Sequence, residues 1–342
     1  MKYIAKANLE NFFEAASKKL NVYVPVDTEG TNSAYKKWQN GTKVSERLHT
    51  TRSAKDFFFP QTENLVEFKM TDKKIEIIDP RRETEDFAIF GVRACDVRSF
   101  SILDKVFLSE PVDTYYKNRR EHGVIISMAC QRPEETCFCK AFGIDASAPE
   151  GDVVFTEADG GYFIEAKTEK GSAFVDSLGD IFEDRDSTPA EEAKAKIREI
   201  IDLLPLSGID TSKFGGGKTE EFWNDKNWAS LSEACIACGT CTFVCPTCQC
   251  YDIKDFDTGH GVVRFRTWDS CMYSDFTKMA HGNNRLTQKE RFRQRFMHKL
   301  VYFPENNNGE FGCVGCGRCL QSCPISMNIV KVKKTLGKEE KR

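Results

Sequence analysis

Two cysteine runs constrain this chain more than any other feature. Cys235, Cys238, Cys241 and Cys245-Pro246 recur as Cys313, Cys316, Cys319 and Cys323-Pro324, with identical spacing. Three cysteines at intervals of three ride one turning loop and can cap three irons of a cubane. The fourth lies beyond a turn closed by proline and points away. Paired runs of this kind hold two 4Fe–4S clusters in bacterial-type ferredoxins, the fourth cysteine of each serving the other cluster. The spacing therefore assigns Cys235, Cys238, Cys241 and Cys323 to one cluster. Cys313, Cys316, Cys319 and Cys245 go to the second. A zinc site prefers two separated pairs and no third evenly spaced cysteine. Cys241, Cys245 and Cys248 also spell the spacing of a radical-SAM cluster, but they overlap a complete ferredoxin run and no barrel-like strand–helix series surrounds them.

Seven of the fifteen cysteines lie outside the two runs. Cys95, Cys130, Cys137 and Cys139 fall in the N-terminal part, two of them just past predicted strand ends, where ligand-bearing loops of α/β sheets sit. Cys137 and Cys139 are too close in sequence for an unstrained disulfide and suit metal ligation. Four thiolates are what a third cubane needs; buried inert thiols are the plainer alternative. Cys248, Cys250 and Cys271 make only three. They are either small core residues or a further metal site completed by His260 or His281.

Composition narrows the function classes. Net charge is −3, with 49 basic and 52 acidic residues, which argues against a nucleic-acid or membrane-surface protein. No run approaches the roughly 18 apolar residues of a membrane span. The start, Met1–Lys6, lacks the layout of a secretory signal, so the expected compartment is the reducing cytoplasm. Charge is unevenly placed: Arg285–Arg342 carries a balance of +8 and the rest −11. An oxidised cubane with four thiolates adds about −2 that this count omits. The basic end is where such charge would be offset, or it is simply a solvated face.

The remaining pattern reads as two domains, an N-terminal mixed α/β domain over 1–218 and a mostly α-helical dicluster domain over 219–342, together an α+β class. Asn8 caps a helix whose stripe is Leu9, Phe12, Phe13, Ala16 and Leu20. Strands are expected at 21–26, 87–92 and 123–128. Hairpins are expected at 65–78, turning on Thr71-Asp72-Lys73, and at 153–166, turning on Asp159-Gly160-Gly161. Helices follow at 97–107 and at 188–204, the latter capped by Thr188 with Pro189 in its first turn. Gly215-Gly216-Gly217-Lys218-Thr219 lacks the first glycine of a phosphate loop and reads as a hinge. Between the ferredoxin runs, Phe292, Phe296 and Leu300 mark a helix set among Arg291, Arg293, Arg295 and Lys299. The five histidines form no metalloprotease pairing, and no dinucleotide fingerprint follows a strand.

At several of these places the chain resembles a family of iron–sulfur subunits that includes the β subunit of cytoplasmic NiFe sulfhydrogenases and the iron–sulfur subunit of anaerobic, NADH-linked sulfite reductase. The resemblance rests on Arg93-Ala94-Cys95-Asp96, Thr136-Cys137-Phe138-Cys139, Cys245-Pro246-Thr247-Cys248-Gln249-Cys250, Trp268-Asp269-Ser270-Cys271 and Cys313-Val314-Gly315-Cys316-Gly317-Arg318-Cys319. The last is common to many ferredoxins; the Arg-Ala-Cys-Asp and Cys-Phe-Cys elements are more specific. It implies an electron conduit between a flavin- and NAD(P)H-binding subunit and a metal-containing catalytic subunit of hydrogenase or sulfite reductase type. Such a protein does no bond-making alone. The alternative is a catalytic protein whose N-terminal cluster keeps an open iron.

Overall fold

The computed structural model describes residues 1–337 except Thr31, Leu48 and Lys73. The turn residue Lys73 and residues 338–342, the last part of the basic stretch that starts at Arg285, therefore lie outside the described residues. The strands, in chain order, are β1 (Lys2–Ala5), β2 (Asn21–Asp27), β3 (Ser33–Lys37), β4 (Thr62–Thr71), β5 (Lys74–Ile78) and β6 (Phe87–Val92). They continue with β7 (Gly123–Met128), β8 (Val153–Ala158), β9 (Gly161–Ala166), β10 (Glu183–Asp184), β11 (Tyr251–Asp257) and β12 (Gly261–Trp268). Two compact units result. The first holds Met1–Phe58, Glu83–Gly208 and Val314–Cys316; the second holds Phe59–Arg82, Ile209–Cys313 and Gly317 onward.

The first unit is built on a sheet of order β10-β1-β9-β8-β7-β6-β2-β3. Its centre is parallel, β2 beside β6, β6 beside β7 and β7 beside β8. Strands β6 and β7 are buried throughout, as their unbroken apolar runs require of a sheet covered on both faces. The helix Leu9–Ser17 turns Phe12, Phe13 and Ala16 onto Val22, Val24, Phe90, Ile126 and Phe155. Asn8 precedes it, but its side chain makes no cap bond. Rings of Phe13, Phe90, Phe155, Phe174 and Phe182 lie 5.2–6.3 Å from that of Phe12. Phe12→Ala is expected to cost about 3–5 kcal/mol. That would lower the anaerobic thermal midpoint by roughly 10 °C; an unchanged midpoint would remove this cluster from the core.

Two details differ from the sequence pattern. The helix expected from Val97 begins at Ala94 and runs to Phe107, because Arg93 is extended and its carbonyl accepts from the N–H groups of Asp96 and Val97. Cys95 and Asp96 thus occupy its first turn. The helix Thr188–Asp202 starts one residue earlier than expected: Ser187 is its cap residue and bonds through its carbonyl, not its side chain. The hairpins appear as β4–β5 and as β8–β9, the latter closed by Asp159-Gly160.

The second unit joins helices to an antiparallel sheet of order β11-β12-β4-β5. The hairpin β11–β12 is not among the sequence expectations, although Tyr251, Ile253 and Phe256 hint at strand alternation. The helix Gln288–Met297 carries a capping box between Thr287 and Glu290 and continues as helical backbone to Asn306, burying Phe292, Phe296 and Leu300. Among the described residues no helix is long and apolar enough to cross a membrane.

Candidate iron–sulfur centres

The two cysteine runs repeat in backbone as well as in sequence. Ala237 and Gly315, each just before the second cysteine, take φ of +54° and +61°; Gly239 and Gly317, just after it, take +73° and +80°. Each left-handed pair folds the loop back on itself, and a short helix then presents Cys241 or Cys319. Cys235, Cys238, Cys241 and Cys323 line one cavity, walled by Met272, Phe292, Phe296 and Pro324. That brings together the first crossed set. Donors aim at its sulphurs: Gln288 Nε2 reaches Cys235 Sγ at 3.3 Å, and the Met327 N–H reaches Cys323 Sγ at 3.2 Å.

In the second set, Cys245 and Cys313 are the electrostatic neighbours of Cys319. Its remaining member, Cys316, packs in the first unit. Burial pushes the Cys241 and Cys319 thiols up to about 11. Arg295 and Lys299 are buried beside these sulphurs. Burial opposes charge on both, but Cys241 and Cys319 beside Arg295, and Cys245 and Cys248 beside Lys299, more than reverse it. Lys299 Nζ is oriented by Thr247 Oγ1 at 2.7 Å and the Gly312 carbonyl at 3.1 Å. Sequence reasoning placed these cations around an apolar stripe without seeing that they lie on it. Positions 292, 295, 296, 299 and 300 share one helix face.

The first unit gathers the other four cysteines at the carboxyl ends of β6 and β7. A β-bulge at Gly91, with φ +78°, breaks the β6–β7 register just before Arg93, and such bulges re-aim the residues that follow. Cys95, Cys130, Cys137 and Cys139 line one small cavity with Arg93 and Cys316. All four are buried. Arg93 is 1% exposed. Its guanidinium donates toward Cys95 Sγ at 3.8 Å and toward Cys130 and Cys137 Sγ at 4.0 Å. Burial pushes Cys130 up and Cys139 up to about 12.

This donor set suits a cubane. Burial opposes charge on Arg93, and Cys95, Cys137 and Cys130, together with the buried Asp96, more than reverse it; metal-bound thiolates would carry the negative charge that three of these partners need to supply. The Arg93 Nε and the Thr136 hydroxyl are buried without a protein partner at this nest. The second ferredoxin loop closes it: Phe138 N–H donates to the Gly315 carbonyl at 2.8 Å, and His49 Nε2 meets the Cys316 carbonyl at 3.0 Å. A Cβ on Gly315 would stand 2.5 Å from the Phe138 carbonyl group and 2.7 Å from Cys139 N. In sequence Arg93 stands out only as part of Arg93-Ala94-Cys95-Asp96, without its role toward sulphur. His49 offered no signal.

Cys248, Cys250 and Cys271 do not meet the histidines expected to complete a site with them. His260 and His281 are exposed. His260 sits in the turn of the β11–β12 hairpin, whose seven-residue strand β11 begins at Cys250's neighbour Tyr251, so the two ends lie roughly 20 Å apart. Among the described residues no three Cys, His, Asp or Glu side chains converge as the ligands of a single ion would. A cubane asks for something else, since each of its thiolates caps a separate iron.

Residues 234–327 match the family of 4Fe-4S dicluster domains. Over 334 residues the chain is 34% identical to sulfhydrogenase 2 subunit beta of Pyrococcus furiosus, covering 94% of this chain and 93% of that protein. No solved structure matches. The likeness runs through both units, well beyond the ferredoxin runs, and with it the chain belongs to the sulfhydrogenase β-subunit family of iron–sulfur proteins.

Proposed function

We propose that this chain is the electron-relaying subunit of a multi-subunit oxidoreductase. It carries electrons between a flavin- and NAD(P)H-binding subunit and a metal-containing catalytic subunit of sulfhydrogenase type. Three 4Fe–4S clusters would be held by Cys235, Cys238, Cys241 and Cys323; by Cys313, Cys316, Cys319 and Cys245; and by Cys95, Cys130, Cys137 and Cys139. When bound, such clusters supply one-electron carriers whose potential follows charge, burial and hydrogen bonds to sulphur. The chain's own residues provide those terms. Arg93, Arg295 and Lys299 offset thiolate charge inside the protein, while Gln288 and the Met327 amide donate to sulphur. Four thiols in the N-terminal nest are a full complement, which supports a relay over an open catalytic iron.

The observation that carries this reading is the buried Arg93 guanidinium aimed at three cysteine sulphurs. Anaerobic iron and acid-labile sulfide analysis tests it. About 12 irons per chain are expected, at four per cubane. A value near 8 in intact protein would remove the N-terminal cluster.

Arg93→Gln keeps amide donors but removes the charge. A charge-assisted bond is worth about 1.5–3 kcal/mol. For one electron that corresponds to a midpoint potential lower by on the order of 100 mV. The sign follows from charge, since a buried cation favours the reduced, more negative state. A redox titration followed by electron paramagnetic resonance reads it, and an unshifted midpoint would show that Arg93 only fills space.

A further inference from the structure

Besides the cysteine nest, the first unit holds a cavity of about 340 Å³ toward the carboxyl ends of β6, β7 and β8. Its size is that of small-molecule sites, roughly 300–1,000 Å³, and open α/β sheets take their ligands at this edge. Phe13, Trp38, Phe90 and Met128 form its apolar wall. Ala129 and Gln131, on either side of Cys130, also face it, so it shares the end of β7 with the nest. Tyr162 lines it too. That residue is only 6% exposed, yet its hydroxyl has no hydrogen-bond partner among the described residues. A buried donor left unpaired is unfavourable, and an acceptor on a ligand would satisfy it.

Four charged side chains link up at the rim of this cavity. Glu46 Oε1 accepts from Lys6 Nζ at 3.2 Å and Glu46 Oε2 from Arg132 at 2.9 Å, while Lys6 also donates to Glu157 Oε1 at 3.1 Å. The Glu46 side chain is 65% exposed and rides a loop. Exposed ion pairs of this kind are weak, so Glu46 is the member that can leave. Without it, Lys6, Arg132 and Glu157 carry a net +1, and Glu10 and Lys43, which also line the cavity, cancel. One anionic group in place of the Glu46 carboxylate would match that charge. We propose that the cavity binds a planar aromatic acid bearing a ring carbonyl. Its rings pack on the aromatic wall, its carbonyl accepts from the Tyr162 hydroxyl, and its acidic group replaces Glu46 on Lys6 and Arg132. This site goes beyond the electron relay and does not depend on it.

The test uses the full, cluster-loaded chain, oxidised and anaerobic, titrated calorimetrically with anthraquinone-2-sulfonate as the probe. Saturable binding at one site per chain is expected. Tyr162→Phe, which removes only the hydroxyl, should weaken it roughly tenfold. Glu46→Gln frees the two cations from their competing carboxylate and should tighten it several-fold. Opposite signs in these two variants are what adsorption to an apolar surface would not produce. Absence of saturable binding up to millimolar probe would overturn the inference. So would the same affinity in the parent and both variants, which would place the probe elsewhere. Should Tyr162→Phe not fold, the exposed Glu46→Gln decides alone. The clusters are tested separately by the iron count, so a failure here leaves the relay standing.

Discussion

Cys139→Ser, assembled with its partner subunits, is expected to lose NAD(P)H-linked turnover to background. Activity of the catalytic subunit with an artificial dye that bypasses this chain should survive. The expectation follows from a relay in series, in which losing one of four thiols at the nest breaks the only route through it. The iron count of the variant should fall to about 8, since a cubane left with three ligands is poorly held. Measuring the two activities side by side distinguishes this from a packing role. A buried thiol that merely packs would leave both rates largely intact after a modest loss of stability. Unchanged NAD(P)H-linked turnover would take the N-terminal nest out of the path.

The second large effect belongs to Gly315. Its left-handed backbone costs an alanine about 1–2 kcal/mol. The added Cβ would also meet main-chain atoms of Phe138 and Cys139 at 2.5–2.7 Å, which cannot swing aside as a side chain would. Gly315→Ala should therefore displace the loop from the nest, lowering the thermal midpoint and taking the iron count toward 8. The first run supplies a matched control. Ala237 holds the equivalent place at φ +54°, so Ala237→Gly should be tolerated with little change. A Gly315→Ala protein as stable as the parent and holding about 12 irons would refute the closeness of this contact.

Much of this arrangement could be read from sequence, and the reasons are local. Apolar periodicity specified the helix bearing Phe12 and Phe13, and unbroken apolar runs specified β6 and β7. Cysteine spacing grouped Cys235, Cys238 and Cys241 with Cys323, because ligand spacing encodes loop geometry directly. What escaped depends on charge inside the protein or on distance along the chain. Arg295 and Lys299 fall within a basic stretch that reads as offsetting cluster charge or as a solvated face. That these two are the buried ones was not legible, since cations are rarely buried without a partner, and the partner here is sulphur. The β11–β12 hairpin was hidden by acidic residues alternating with Tyr251, Ile253 and Phe256. Nothing in the sequence around Cys137 could announce that the carbonyl of Cys316 lies beside its thiol, 179 residues away.

That separation has a consequence for how the protein is made. The wall of the N-terminal nest is contributed by Val314–Cys316, far downstream of the cysteines it covers. A ribosome adding about 5–20 residues per second needs roughly 10–40 s to travel from Cys137 to that wall. Throughout that interval Cys95, Cys130, Cys137 and Cys139 lack their cover and stand open to iron donors and oxidants alike. Assembly of this centre is thus tied to synthesis of Val314–Cys316. Truncated or stalled chains would expose a half-built thiol site, a reason for such a protein to be matured under strictly anaerobic conditions.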